Sequence, residues 1–193
     1  MMTNVLTVDC SADELIVCAV FGGAYAESRS GGAQRHNGAV LGCVDKVMTA
    51  LGAKPSDFDA FAAVVGPGSF TGIRIGVATI KALCLATGKP SVAIDALEAL
   101  AYGEGECIAA IDARNGNCYA ARFDKDGNML QEKLMPRAQA DAAGVAVIDA
   151  RPDDIGKRLT AIAVEKVEAK RFDAALEPKY LRKSQAERMK DGD

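Results

Sequence analysis

The sequence predicts an α/β fold in two lobes, and three observations predict it. The first thirty residues hold three strand-like runs separated by tight turns. Helical and strand patterns then alternate, as a sheet with crossover helices requires. Beyond a glycine-rich stretch near residue 103 a second set of strands and turns begins.

Val5, Leu6 and Val8 lead to Asp9, and Leu15 to Val20 forms the second apolar run. After Phe21-Gly22-Gly23, the segment 24–30 is more polar, as an edge strand would be. Two short turns in succession imply an antiparallel meander. Val40, Val44, Val47 and Leu51 recur at helical spacing, which predicts a helix from Ala33 to Leu51 with Gly52 as its stop. Phe58 to Val65 reads as a strand and Thr71 to Thr87 as a second helix, followed by a short strand from Ser91 ending at Asp95. The run Glu98 to Glu106 reads as the boundary, giving a first lobe over 1–103 and a smaller second lobe over 104–193. In the second lobe, strands at 107–111, 118–123, 129–134 and 145–148 and a helix near 153–163 are expected, with turns at Arg114-Asn115-Gly116 and Asp126-Gly127-Asn128.

Composition excludes several classes. With 49% hydrophobic and 25% charged residues, the chain is an ordinary globular sequence. A formal net charge of −3 gives it no standing attraction for nucleic acid or an anionic membrane. The N-terminus lacks the basic start of a secretory signal, and the apolar stretch 73–86 carries Arg74 and Lys81 and reads as too short to span a bilayer, so a cytoplasmic location is expected. Six cysteines form no C-x-x-C pair, and most lie in apolar runs, which points to reduced core thiols.

Two loops are candidates for chemistry. Gly66-Pro67-Gly68-Ser69-Phe70-Thr71-Gly72 joins a strand to a helix, where backbone N–H groups can hold an anion. It fits neither the G-x-G-x-x-G nor the G-K-[ST] fingerprint, and a sharp turn with Ser69 or Thr71 as helix cap explains the same residues. At the first strand turn, Asp9 and Ser11 either contact a nucleotide phosphate together with Gly68 and Ser69, or make local turn hydrogen bonds. The second helix is apolar nearly all round: Gly72, Gly76, Ala78, Ala82 and Ala86 line one side, and Ile73, Val77, Ile80 and Cys84 another. One side packs on its own sheet and the other calls for a lid or a second chain; the glycines imply close backbone approach, with the first helix as natural neighbour. His36 is the only histidine, so histidine-rich metal sites and a Ser69–His36 hydrolase without a G-x-S-x-G elbow are poorly supported.

GPGSFTGIRIG (66–76) resembles the signature of the TsaB (YeaZ) family of tRNA threonylcarbamoyladenosine biosynthesis proteins. Val8-Asp9-Cys10-Ser11, Arg35-His36-Asn37, the segment 110–116 with Tyr119, and Pro178-Lys179-Tyr180-Leu181-Arg182 resemble four further family segments. The resemblance implies a two-lobed actin-like, ribonuclease H-like fold with mixed sheets. It implies a non-catalytic subunit that binds and activates the catalytic subunit TsaD, with the ATPase TsaE as third component. TsaD modifies adenosine 37 of tRNAs that read ANN codons, and tRNA is met only through the complex. ATP and metal belong to the partner subunits, and no cofactor is expected here. Partner binding and self-pairing as a homodimer are expected on helices of the first lobe, here through His36, Val40, Val44, Val47 and Leu51, and through Gly72, Arg74, Ile75, Gly76, Thr79 and Leu83. Cys10 stands where the family has Thr, the chain is short beyond Met135, and a lone histidine cannot build the H-x-x-x-H metal pair of the catalytic subunit. An ATP-dependent phosphotransferase using Asp9 or Asp112 is the competing reading.

Overall fold

The computed structural model describes residues 2–31 and 36–181, with the side chains of 36 and 37 outside the description. Its core is a five-stranded sheet built from β1 (Val5–Asp9), β2 (Glu14–Phe21), β3 (Ala24–Gly31), β4 (Ala60–Gly66) and β5 (Ser91–Asp95) in the order β3-β2-β1-β4-β5. The meander holds: β1–β2 and β2–β3 pair antiparallel, while β1–β4 and β4–β5 pair parallel through helical crossovers. Every residue of β1 and β4 is buried, which is why these strands read as continuous apolar runs rather than alternating ones.

Strand alternation divides the burial between two layers. Leu6, Val8, Val17, Phe61 and Ala63 face α1 (His36–Leu51) and α2 (Phe70–Thr87). Val5, Ile16, Ala62, Val64 and Ile94 face α3 (Ala96–Ala101) and α5 (Ile155–Glu168). Ser69 caps α2 by accepting from the Gly72 N–H at 3.3 Å, and Gly88 closes the helix in the left-handed region.

The second sheet, in the order β8-β7-β6-β9, comprises β6 (Cys107–Asp112), β7 (Asn117–Phe123), β8 (Met129–Pro136) and β9 (Ala146–Ile148). One face packs on α3 through Leu97, Leu100 and Phe123; the other is covered at Ala140 by the one-turn α4 (Arg137–Asp141).

Two expectations are corrected. The stretch read as a boundary begins with a buried helix: Asp95 accepts from the N–H groups of Leu97 (2.7 Å) and Glu98 (3.4 Å), and Glu98 accepts from the Asp95 N–H. That Asp-x-x-Glu capping box was the overlooked signal. The division at 103/104 also fails, because α5 returns to the first sheet with Ile155, Leu159, Ile162 and Ala163 in its core. The segment 173–179 follows it: Asp173 N–H donates to Ser91 O (2.9 Å), its carboxylate accepts from Ala93 N–H (2.7 Å), and Leu176 is buried against the α1/α2 layer. The second lobe is therefore about residues 107–149. Leu159→Ala should destabilise the protein by about 2–5 kcal/mol in urea unfolding, the cost of a cavity in the first-lobe core; a loss below about 1 kcal/mol would mean that α5 is not seated on this sheet.

Candidate functional site

The carboxyl ends of β1, β4 and β5 converge on a cleft of about 1090 Å³ between the lobes. Asp9, the 67–74 loop and helix start, Asp112, Ala113, Arg114, Arg151 and Lys179 line it. This is where open α/β sheets commonly take ligands. The chemistry in its floor is already paired internally.

Asp9 is buried, and its carboxylate accepts from the Ser11 N–H at 2.8 Å and from Arg151 at 2.6 Å. The Ser11 carbonyl in turn accepts the Ser69 N–H at 2.7 Å. Gly68 and Gly72 permit this closure: a Cβ on Gly68 would lie 2.2 Å from Ser11 O, and one on Gly72 1.9 Å from Cys10 O. The structure thus brings Asp9, Ser11, Gly68 and Ser69 together, but as a mutually bonded pair of turns rather than an open phosphate cradle. Asp112, at the opposite wall, is exposed and accepts from the Arg114 N–H at 2.9 Å. Burial, with Asp9 adding to it, pushes the Cys10 thiol up to about 12, so the cysteine at this turn stays protonated and packs as a small hydrophobe. All six cysteines are free thiols, five of them buried.

A second cluster, one lysine shared by two acids, sits beside β5. Lys179 donates to Asp95 Oδ2 at 2.8 Å and to Glu132 Oε2, while Glu132 Oε1 is buried with no partner among the described residues. Burial, with Asp95 nearby, raises the Glu132 carboxyl above the usual range despite the lysine. Burial works against the Lys179 charge, but the two acids outweigh it and hold the ammonium above the usual lysine range. Sequence reasoning missed Lys179, Glu132 and Arg151, because only the fold brings their distant segments to Asp95 and Asp9.

The helical layer is divided differently from the expectation. Val40, Val44 and Val47 are 4%, 5% and 1% exposed and belong to the chain's own core, with only Val40 reaching a surface groove. Gly72 and Gly76 are buried against β1, where Gly76 faces Cys10 and Val8. The close approach inferred from these glycines is therefore to the strand, not to the first helix. These five positions are corrected: they shape the first lobe, and of them only Val40 borders a surface that a partner could reach. Leu51, Ile75, Thr79 and Leu83 are half-buried, and Arg74 is exposed. The His36 side chain, like Arg35 and Arg182, lies outside the described residues.

What remains open is the outer arc of α2. Ala78, Ala82, Leu85 and Ala86 are exposed, Leu85 to 89%, and Leu41 of α1 is 66% exposed. Between the two helices runs a groove of about 570 Å³ lined by Val40, Leu41, Phe70, Thr71, Arg74, Ile75, Ala78, Thr79 and Ala82. At its head the Arg74 guanidinium lies 4.0 Å over the Phe70 ring and donates to the Tyr180 hydroxyl at 2.8 Å. The helix is longer than the stretch read from sequence. Its 18 residues, at mean hydropathy 1.4, reach the length and apolarity of a membrane span, but Gly72, Ile73, Gly76, Val77 and Ile80 are seated in the core.

Fold and cleft together define a two-lobed, actin-like α/β protein whose central acids are matched by its own cations. The family model described as "TsaD: tRNA N6-adenosine threonylcarbamoyltransferase" matches residues 24–151. The Escherichia coli tRNA threonylcarbamoyladenosine biosynthesis protein TsaB is 35% identical over 101 residues, 49% of this chain and 44% of that protein. A tRNA N6-adenosine threonylcarbamoyltransferase of Anaeromyxobacter dehalogenans is 35% identical over 114 residues, 50% of this chain and 34% of that one. The chain thus spans less than half the length of these curated relatives. A Pseudomonas aeruginosa protein described as similar to peptidase YeaZ superposes with a TM-score of 0.81 at 25% identity, over 94% of this chain and 100% of that one. The chain belongs to the tRNA N6-adenosine threonylcarbamoyltransferase family, in its TsaB (YeaZ) branch.

Two substitutions test the turn pair. Gly72→Ala should cost about 1–3 kcal/mol through the clash with Cys10 O, whereas Gly42→Ala on α1, with nothing within 4 Å, should stabilise by about 0.5–1 kcal/mol. Arg151→Met leaves the Asp9 carboxylate buried and unmatched, and should cost roughly 2–4 kcal/mol, discounted because Arg151 keeps some contact with water. Thermal unfolding measures both; a neutral Arg151→Met would mean that Asp9 does not depend on this partner.

Proposed function

We propose that the chain is a non-catalytic subunit in the synthesis of threonylcarbamoyladenosine in tRNA, and that it binds a catalytic TsaD subunit through the open face of α1 and α2. In this reading TsaD, with the ATPase TsaE as third component, modifies adenosine 37 of tRNAs reading ANN codons in the cytoplasm. This chain meets tRNA only within that complex. ATP and metal are held by the partners.

The observation that carries the reading is the outer arc of α2. An exposed helical face bearing Ala78, Ala82, Leu85 and Ala86, beside a groove floored by Ile75 and walled by Leu41, presents contiguous apolar surface that a second helix can cover. Small residues on this arc allow close backbone approach. The same face also suits a second copy of the chain, so self-pairing and partner binding would compete for one surface. The net charge of −3 fits a subunit that does not itself grip tRNA.

The phosphotransferase reading is weakened by the site. Arg151 already neutralises Asp9, and the Ser69 and Gly72 N–H groups are bonded within the turn pair.

Ala78→Glu places a charge on the exposed arc without touching the core. It should weaken association with a TsaD subunit at least about 30-fold, about 2 kcal/mol, while the melting temperature stays near that of the parent protein. Calorimetric titration measures the first and thermal unfolding the second. Undiminished binding by folded Ala78→Glu and Ala82→Glu would sink the reading. A bulky residue at Gly76 is a poor substitute test, because it would strike β1 and report on folding.

A further inference from the structure

The two lobes are joined covalently only where the chain crosses between them, at about 102–106 and 149–154. Apart from α3, whose Leu97 and Leu100 pack on the second sheet, the width of the cleft is set by side-chain contacts across it, and lobes so connected move about such a joint unless something ties the far side. We propose that residues 173–181 form a clasp that holds the lobes closed, with Lys179 seated between one acid from each lobe.

The clasp is anchored firmly on the first lobe. Asp173 pairs with the edge of β5, Leu176 is buried in the α1/α2 layer, and the Lys179 N–H donates to Val65 O at 2.8 Å. Gly66 makes room for it: a Cβ there would lie 2.7 Å from Lys179 O. Beyond Lys179, the Tyr180 ring stacks on Phe70 at 4.8 Å and its hydroxyl accepts from Arg74. From this fixed backbone the Lys179 side chain reaches Asp95 on its own lobe and Glu132 on β8 of the other.

Glu132 shows that the link matters to the second lobe. Its side chain is 11% exposed, Oε2 is held by Lys179, and Oε1 is buried with no partner among the described residues. A carboxylate in that position is tolerable only while a cation faces it. Without Lys179, Glu132 takes up a proton or is given to water as β8 swings away, and in either case the charged tie between the lobes is lost.

Spin labels on azido side chains at exposed positions 46 and 125, one on each lobe, leave the native cysteines untouched and read the lobe separation by pulsed electron resonance. The parent protein should give one narrow distance distribution. Lys179→Met and Glu132→Gln should each lengthen and broaden it, with the long-distance fraction rising at least about tenfold. Lys179→Arg, which keeps the cation, should restore the parent distribution. Circular dichroism confirms that each variant is folded. Superimposable distributions for the two disrupting variants overturn the clasp. So does a shift in Lys179→Met alone, since the link would then not run through Glu132. The measurement needs no partner protein, so its outcome is independent of the docking face proposed above.

Discussion

The approach of α2 to the end of β1 is the contact on which the rest of the molecule depends. With Gly72 against Cys10 O, and Ser69 bonded to Ser11 O, the helix starts directly over the strand ends. That seating fixes which arc of α2 is buried. Ile73, Val77 and Ile80 turn to the sheet, and Ala78, Ala82 and Leu85 are left facing outward. An apolar surface left uncovered among the described residues is thus a geometric consequence of two glycine-mediated contacts at the other side of the same helix.

The same closeness explains the cleft. The Ser69 N–H is spent on the facing turn, and the Ser11 and Gly72 N–H groups on the side chains of Asp9 and Ser69, so these donors are taken from any anion in the cleft. The acids that end β1 and β5 then need counter-charges from within the chain. Arg151 serves Asp9, and Lys179 serves Asp95 together with Glu132. The central crevice of this chain thereby holds ion pairs, one of which, Lys179 with Glu132, runs from lobe to lobe. The docking surface proposed above lies on the helical layer instead.

Much of the fold was legible in the sequence because it is written in local patterns. The meander follows from short turns between apolar runs, and α1 and α2 from valine and isoleucine spacing closed by Gly52 and Gly88. The motif at 66–76 identified the family. What stayed hidden depends on non-local packing. The valine stripe of α1 marks a buried face, but periodicity cannot say whether sheet or partner covers Val40, Val44 and Val47. The small-residue arc of α2 is split, its glycine end under the strand and its alanine end in the open, and only the three-dimensional placement of Cys10 divides it. The return of α5 to the first sheet, and the pairing of Lys179 with an acid 47 residues away, have no local signature.

The account turns on the claim that the outer arc of α2 is the docking face. Hydrogen exchange of the intact chain, alone and saturated with a TsaD subunit, tests it most directly. The predicted result is added protection concentrated on 74–87 and the facing residues of α1, with β3 and the β7–β8 turn unchanged. Protection confined to the second lobe or to the cleft, with α1 and α2 exchanging as in the free chain, would contradict it.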